Sequence, residues 1–376
     1  MITVNKIDLN SKSEINRFVQ FPFDLYEGHP QWVPPFVSDV RTMLNPENHP
    51  YYEHSDAEFF IAERQGEVVG RIAALENKPF NRYHDKKDAE FYLFECINDQ
   101  KVADALFETV FNWARGRGLN KLVGPKGFGP LDGYGIQIEG FEHHQMMNMM
   151  NYNYPYYRDL VENLGFEKVV DFVSSYIQPQ KFQLPPKVRK AAEIAKKRGS
   201  FTILNFKNKR ELLKWADPIG EAYNKAFVKN WEYYPLTQNE IDFVVKNVMT
   251  IVDPDLIKII TKDDKVVGFV LPFPDVSAAM QKNQGKLGPF KILRLLLEIK
   301  RTEWIAFNGV GILPEYHGLG GNAIMYTELE KSMHAKDQFV HAELTQVAET
   351  AEQMRKDLKN LGVKFYKNHR VYQKDI

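Results

Sequence analysis

Between Phe59 and Leu75 the chain reads FFIAERQGEVVGRIAAL, two apolar runs around Gln65-Gly66, a pattern that predicts a β-hairpin. Leu256 to Leu271, LIKIITKDDKVVGFVL, repeats that plan around Asp263-Asp264. Further on, Ala323, Ile324, Tyr326 and Leu329 recur at helical spacing and predict a helix from Asn322 to Lys336. A strand over Gln338–Leu344 follows, then a helix over Ala348–Asn360 that Gly362 ends. A strand-helix-strand passage needs a right-handed crossover, so its strands pair in parallel. The hairpins supply antiparallel strands. The expected fold is therefore α/β, a mixed sheet of α+β character with helices packed on it.

Both hairpins carry Val-Val-Gly, ending at Gly70 and Gly268, 198 residues apart. Asn-Leu-Gly recurs with Gly165 and Gly362 at a separation of 197. Two matches at nearly one offset point to a duplicated domain. The middle of the repeat is out of register. The C-terminal copy carries an extra helical stretch at Pro289–Lys300, and the N-terminal copy a similar excess around Gly124–Met150. Gln178 to Lys187, QPQKFQLPPK, has three prolines and no periodicity, and reads as a linker. The expected domains are residues 1–178 and 188–376.

At 376 residues the chain exceeds what one core usually serves, in keeping with two domains. Lys plus Arg and Asp plus Glu both number 49, so no broad field draws nucleic acid or an anionic membrane. Cys96 is the only cysteine, which excludes an intrachain disulfide and Cys-rich zinc sites. No apolar run is long enough to span a bilayer, and Met1–Asn10 lacks a signal-type core. A cytoplasmic protein, without nucleic acid or a membrane span, is expected.

The passage richest in chemistry is Glu303 to Met325, EWIAFNGVGILPEYHGLGGNAIM: an apolar strand, a break at Pro314, a glycine-rich turn and a helix start. Glycine lets main chain approach a ligand closely, and first-turn N–H groups lack partners inside a helix. The helix dipole favours an anion at the same place, so the turn suits a pyrophosphate. It lacks the Gly-Lys-Ser/Thr of a Walker loop, and Gly318-Leu319-Gly320-Gly321-Asn322-Ala323 lacks the last glycine of a dinucleotide fingerprint. A tight connection with no ligand remains an alternative on these residues alone.

The passage resembles the acyl-CoA-binding motif of the GNAT superfamily, Arg/Gln-x-x-Gly-x-Gly/Ala after a strand. Ile312-Leu313-Pro314 and His317-Gly318-Leu319-Gly320-Gly321-Asn322 carry the match, with His317 in place of Arg or Gln and Asn322 in place of Gly or Ala. The likeness extends over most of Thr202–Ile376, and loosely over Glu58–Ile177. It implies two tandem GNAT-like domains, the second binding acetyl-CoA or another acyl-CoA as co-substrate and passing the acyl group, acetyl in the leading reading, to a small-molecule amine. It implies pantetheine along Val310, Gly311 and Ile312, in an opening where two parallel strands splay, and pyrophosphate on the N–H groups from Gly318 to Ala323. The family's thiolate-protonating Tyr falls on Leu358, and its helix-start Asn on Ala351. In the first copy the turn reads Ile97-Asn98-Asp99-Gln100-Lys101, without glycine, so a degenerate domain lacking acyl-CoA is expected there. A non-catalytic acyl-CoA-binding protein and a long-chain N-acyltransferase acting on an amino acid are the competing readings.

Glu343 alternates with His341 and Thr345 on one strand face and is the candidate base, against a sheet-edge carboxylate facing water. Tyr366 is the second catalytic candidate; it and Tyr372 lie on the last strand within reach of the thioester, with packing as the competing role. Glu142-His143-His144 puts adjacent histidines on opposite sides and makes no metal site, so no metal is expected. Cys96 reads as a buried thiol. Met146 to Tyr157, MMNMMNYNYPYY, reads as interdomain packing or as the lining of an adaptable apolar groove. A monomer or homodimer is expected.

Overall fold

The computed structural model describes residues 1–146, 150–199, 201–231 and 233–376. Its strands are β1 Ile2–Lys6, β2 Asp56–Arg64, β3 Glu67–Glu76, β4 Asp88–Cys96, β5 Lys121–Gly124, β6 Ile136–Glu139 and β7 Glu167–Ile177. They continue with β8 Thr202–Leu204, β9 Lys258–Lys262, β10 Lys265–Pro274, β11 Trp304–Ile312, β12 His341–Ala348 and β13 Lys364–Asp375. The chain forms two compact units, the first of residues 1–173, 277–294 and 366–376, the second of residues 174–276 and 295–365. The two-halves reading split the chain once, near the prolines; the compact units instead exchange segments. Residues 277–294 and 366–376, read as part of the second half, pack with the first unit.

In the first unit the sheet runs β1-β2-β3-β4-β5-β13-β7, and β6 also pairs β13. The β2–β3 hairpin turns at Gln65 and Gly66, with φ of 54° and 86°, the left-handed pair that a two-residue turn between twisted strands requires. Val102, Leu106, Phe107 and Val110 of the helix Gln100–Gly116 pack one face of the sheet with Phe91 and Phe166. Phe18, Tyr51, Phe59 and Phe128 fill the other face. An amphipathic helix on each side of an apolar sheet is the layered solution that buries both faces.

The second unit has the order β12-β11-β10-β9-β8. Its β9–β10 hairpin turns at Asp263 and Asp264, again with positive φ (49° and 58°). β11 pairs antiparallel with β10 and parallel with β12, the mixed arrangement the sequence predicts. The crossover helix runs Gly321–His334 and packs Ala323 and Ile324 against Ala192 and Ala195 of the helix Pro186–Lys197. The following helix begins at Glu352 rather than Ala348, because Thr345–Ala348 stay in strand β12.

Candidate functional site

Strands β11 and β12 pair only from Trp304↔His341 to Phe307↔Leu344. At that point β11 bulges against β10, the register moving from Pro272↔Phe307 to Val270↔Val310 across Asn308 and Gly309. A bulge bends its strand and raises local twist, which turns β11 away from β12. The Thr345 hydroxyl sits at the fork, bonded to Phe307 O at 3.1 Å and to Asn308 Oδ1.

Beyond the fork β11 follows β10 alone, through Phe269↔Gly311 and Gly268↔Ile312. Leu313 N–H donates to Val267 O at 2.9 Å. Strand alternation therefore turns the main-chain groups of Val310 and Ile312 to the opposite, open edge. His317 Nε2 reaches that edge, 2.9 Å from Ile312 O.

The turn that follows is built for open amides. Gly318 and Gly320 take φ of 75° and 88°, a region that L side chains adopt poorly. Gly320 is needed twice, since a Cβ there would stand 2.7 Å from Ala195 Cβ. Gly318 faces open space. The His317 and Leu319 amides bond back to Pro314 O and Tyr316 O. Among the described residues, the amides of Gly318, Gly320, Gly321, Asn322 and Ala323 make no such bond, and no side chain caps the helix. The turn thus carries five main-chain donors without such bonds together with a helix N-terminus, and both favour an anion.

Glu343 lies opposite Ala306 and is wholly buried, so it is not a wet sheet-edge carboxylate. His341 stacks on Trp304, centroids 4.5 Å apart, and its Nδ1 meets Tyr176 Oη at 2.6 Å. Tyr366 packs on His143 within the first unit, so it and Glu343 belong to different units. Tyr372 is core, its hydroxyl donating to Glu162. Leu358, where the family has its Tyr, is buried, and Ala351 caps its helix with no side-chain bond.

The first unit repeats this plan and fills it. β4 and β5 pair from Asp88↔Lys121 to Glu90↔Val123 and then part, and Leu93 in β4 takes φ of 49° at a register shift. Cys96 N–H donates to Tyr157 Oη at 2.9 Å, and Tyr156 Oη–H donates to Cys96 O at 2.7 Å. The helix Gln100–Gly116 is capped by the Asp99 carboxylate, which accepts from Lys101 N and pairs with Arg64. Arg64 holds that carboxylate below the usual range despite its partial burial. A resident anion stands where the second unit leaves amides open. Cys96 is a buried free thiol, and burial pushes its pKa up.

Sequence reasoning passed over a polar cluster beside that fork. A cavity of about 190 Å³ is lined by Arg71, Tyr92, Glu95, Asp132, Met146 and Tyr157, among others. Glu95 accepts from the hydroxyls of Tyr26 and Tyr157, each at 2.7 Å. Burial raises its pKa, while Arg71 and the two tyrosines pull it down. The signal was a charge inside FYLFEC, an otherwise apolar strand. The run Met146–Tyr157 contributes Met146, Met150, Asn151, Tyr152, Asn153 and Tyr157 to this lining; its residues 147–149 lie outside the described residues. His143 pairs with Glu142, and no metal-holding group of His, Cys, Asp or Glu occurs among the described residues.

No protein-family model matches the chain. It is 26% identical over 374 residues to Protein YghO of Escherichia coli K12, covering 97% of this chain and 94% of that protein. It is also 26% identical over 378 residues to the bacterial ceramide synthase of Caulobacter vibrioides, covering 98% and 97%. Among solved structures, a tandem GNAT protein from the clavulanic acid biosynthesis pathway superposes with a TM-score of 0.58 at 10% identity, covering 100% of this chain and 98% of that one. A GCN5-related N-acetyltransferase from Sphaerobacter thermophilus superposes with a TM-score of 0.51 at 12% identity, covering 100% and 95%. The fold of the chain is that of the GNAT acyltransferases, in tandem.

Proposed function

We propose that the chain is an acyl-CoA-dependent N-acyltransferase that binds its donor in the second unit. The observation that carries this reading is the open fork between β11 and β12 beside the five unbonded amides from Gly318 to Ala323. Val310 offers a strand-edge donor and acceptor, and Ile312 its N–H, to the pantetheine amides, and the turn receives the pyrophosphate. His317 steadies the end of the strand through Ile312 O.

An acyl-CoA supplies a thioester carbonyl; an amine forms the C–N bond there and the C–S bond breaks. Glu343, two residues before Thr345 on the same strand face, is assigned to take the amine proton. Tyr366, held against His143 in the first unit, receives no step. Asp99 and the Tyr156–Tyr157 pair leave the first unit no equivalent donor site, which supports reading it as the degenerate copy.

A relative named ceramide synthase, alike over 98% of this chain, favours a long acyl chain and an amino-alcohol or related amine over acetyl transfer. A thiol-release assay with acetyl-, octanoyl- and palmitoyl-CoA against a panel of amino acids and long-chain amino alcohols tests this. Faster release with palmitoyl-CoA is expected, and Glu343→Gln should bind donor but turn over at least tenfold more slowly. Binding without release from any amine would leave a non-catalytic acyl-CoA binder; neither binding nor release would end the transferase reading.

A further inference from the structure

The cavity of the first unit is a site in its own right. Arg71 and Glu95 are direct partners in the β3–β4 register, so both side chains stand on one face of the sheet and both line the cavity. They nevertheless form no ion pair among the described residues. Arg71 is 2% exposed; its Nη1 donates to Phe18 O at 2.9 Å and its guanidinium lies over the Phe18 ring, while its Nε has no partner. An unsatisfied buried donor on a cation is costly, and a ligand oxygen is the economical partner. Glu95 is oriented by Tyr26 and Tyr157 on one carboxylate oxygen, Oε2, and Oε1 accepts from neither.

We propose that this cavity binds an α-amino acid, its carboxylate on Arg71 and its ammonium on Glu95. A guanidinium matches a carboxylate geometrically, and a carboxylate held by neutral hydroxyls keeps an acceptor for a cation. The inference does not rest on the donor site of the second unit. Isothermal titration of the full chain with the proteinogenic L-amino acids, their methyl esters and their N-acetyl derivatives tests it. At least one amino acid should bind, and blocking either end should weaken it at least tenfold. Glu95→Gln still accepts from both tyrosines, so its melting temperature should hold while the preference for a free amino group disappears. No binding by any amino acid, or equal binding by the blocked forms, would overturn the proposal.

The helix Pro289–Ile299, PFKILRLLLEI, buries Leu295 and exposes Phe290, Ile292, Leu293, Leu296 and Leu297, with Phe290 at 88%. At 100° per residue these five fill one arc, and Lys291 and Arg294 instead bond Asn283 O and Oδ1. Residues 281–301 hold Lys282, Lys286, Lys291, Arg294, Lys300 and Arg301 against one acid, Glu298. No helix of the described residues is long and apolar enough to cross a membrane. A contiguous exposed apolar face beside local positive charge matches a helix lying in an anionic bilayer surface.

The geometry points to this helix as a peripheral membrane-docking element. The neutral whole-chain balance does not oppose it, because screened attraction is local. In flotation assays the chain should partition at least tenfold more onto vesicles of one part phosphatidylglycerol to three of phosphatidylcholine than onto phosphatidylcholine alone. Leu293→Ser with Leu296→Ser and Leu297→Ser should abolish partitioning without lowering the melting temperature, since these side chains are exposed. Absence of flotation by the unaltered chain would refute the idea. So would a dimer in light scattering that the same triple variant dissolves, since the face would then cover a second copy.

Discussion

At the residue scale, buried charges and a buried imidazole show where single side chains hold the first unit together. Lys126 Nζ stands 2.6 Å from Glu90 Oε1, both side chains buried, and over the Phe80 ring at 4.2 Å. Removing one member of a buried pair strands the other in low dielectric, so Lys126→Ala should lose roughly 3–5 kcal/mol in denaturant unfolding. His369 is fully buried, its Nε2 2.9 Å from Asn151 O, and burial lowers its pKa to about 4. Between the unfolded pKa near 6.5 and about 4, the unfolded chain binds the extra proton. Stability should therefore fall as pH drops through that window, by roughly 3 kcal/mol, and level off below it. His369→Gln keeps a donor for Asn151 O, and its unfolding midpoint should be flatter across the same range.

At the element scale the two copies differ in how a helix begins. Asp99 caps the helix Gln100–Gly116, so Asp99→Ala should cost about 1 kcal/mol in thermal unfolding. The helix Gly321–His334 has no side-chain cap to lose. Both hairpins and the helix from Pro289 were legible in the sequence, because local alternation, paired turn residues and a helical apolar period carry them. The glycine turn was legible for the same reason, since positive φ at Gly318 and Gly320 is a local demand. The fork was not legible in any local pattern and followed only from the family resemblance, as it depends on a bulge at Asn308-Gly309 and on where parallel pairing stops. Nor was the cavity pair, because only the β3–β4 register sets Arg71 opposite Glu95.

At the scale of the whole molecule, duplication was readable from spaced tripeptides, but the assignment of segments to units was not. β13 pairs β5 and β6, partners more than 200 residues away, and no local pattern announces them. Tyr366 groups with the first unit and Glu343 with the second. Two copies of one plan thus diverge: one closes its fork with tyrosines and an aspartate, the other keeps its amides open. The direct test of that contrast is the dissociation constant of CoA for Gly318→Asp against Gly318→Asn. The two side chains share a shape, tolerate positive φ better than most, and enter open space, so they differ in charge alone. The account predicts near-normal affinity for the Asn variant and at least tenfold weaker binding for the Asp variant; equal affinities would contradict it.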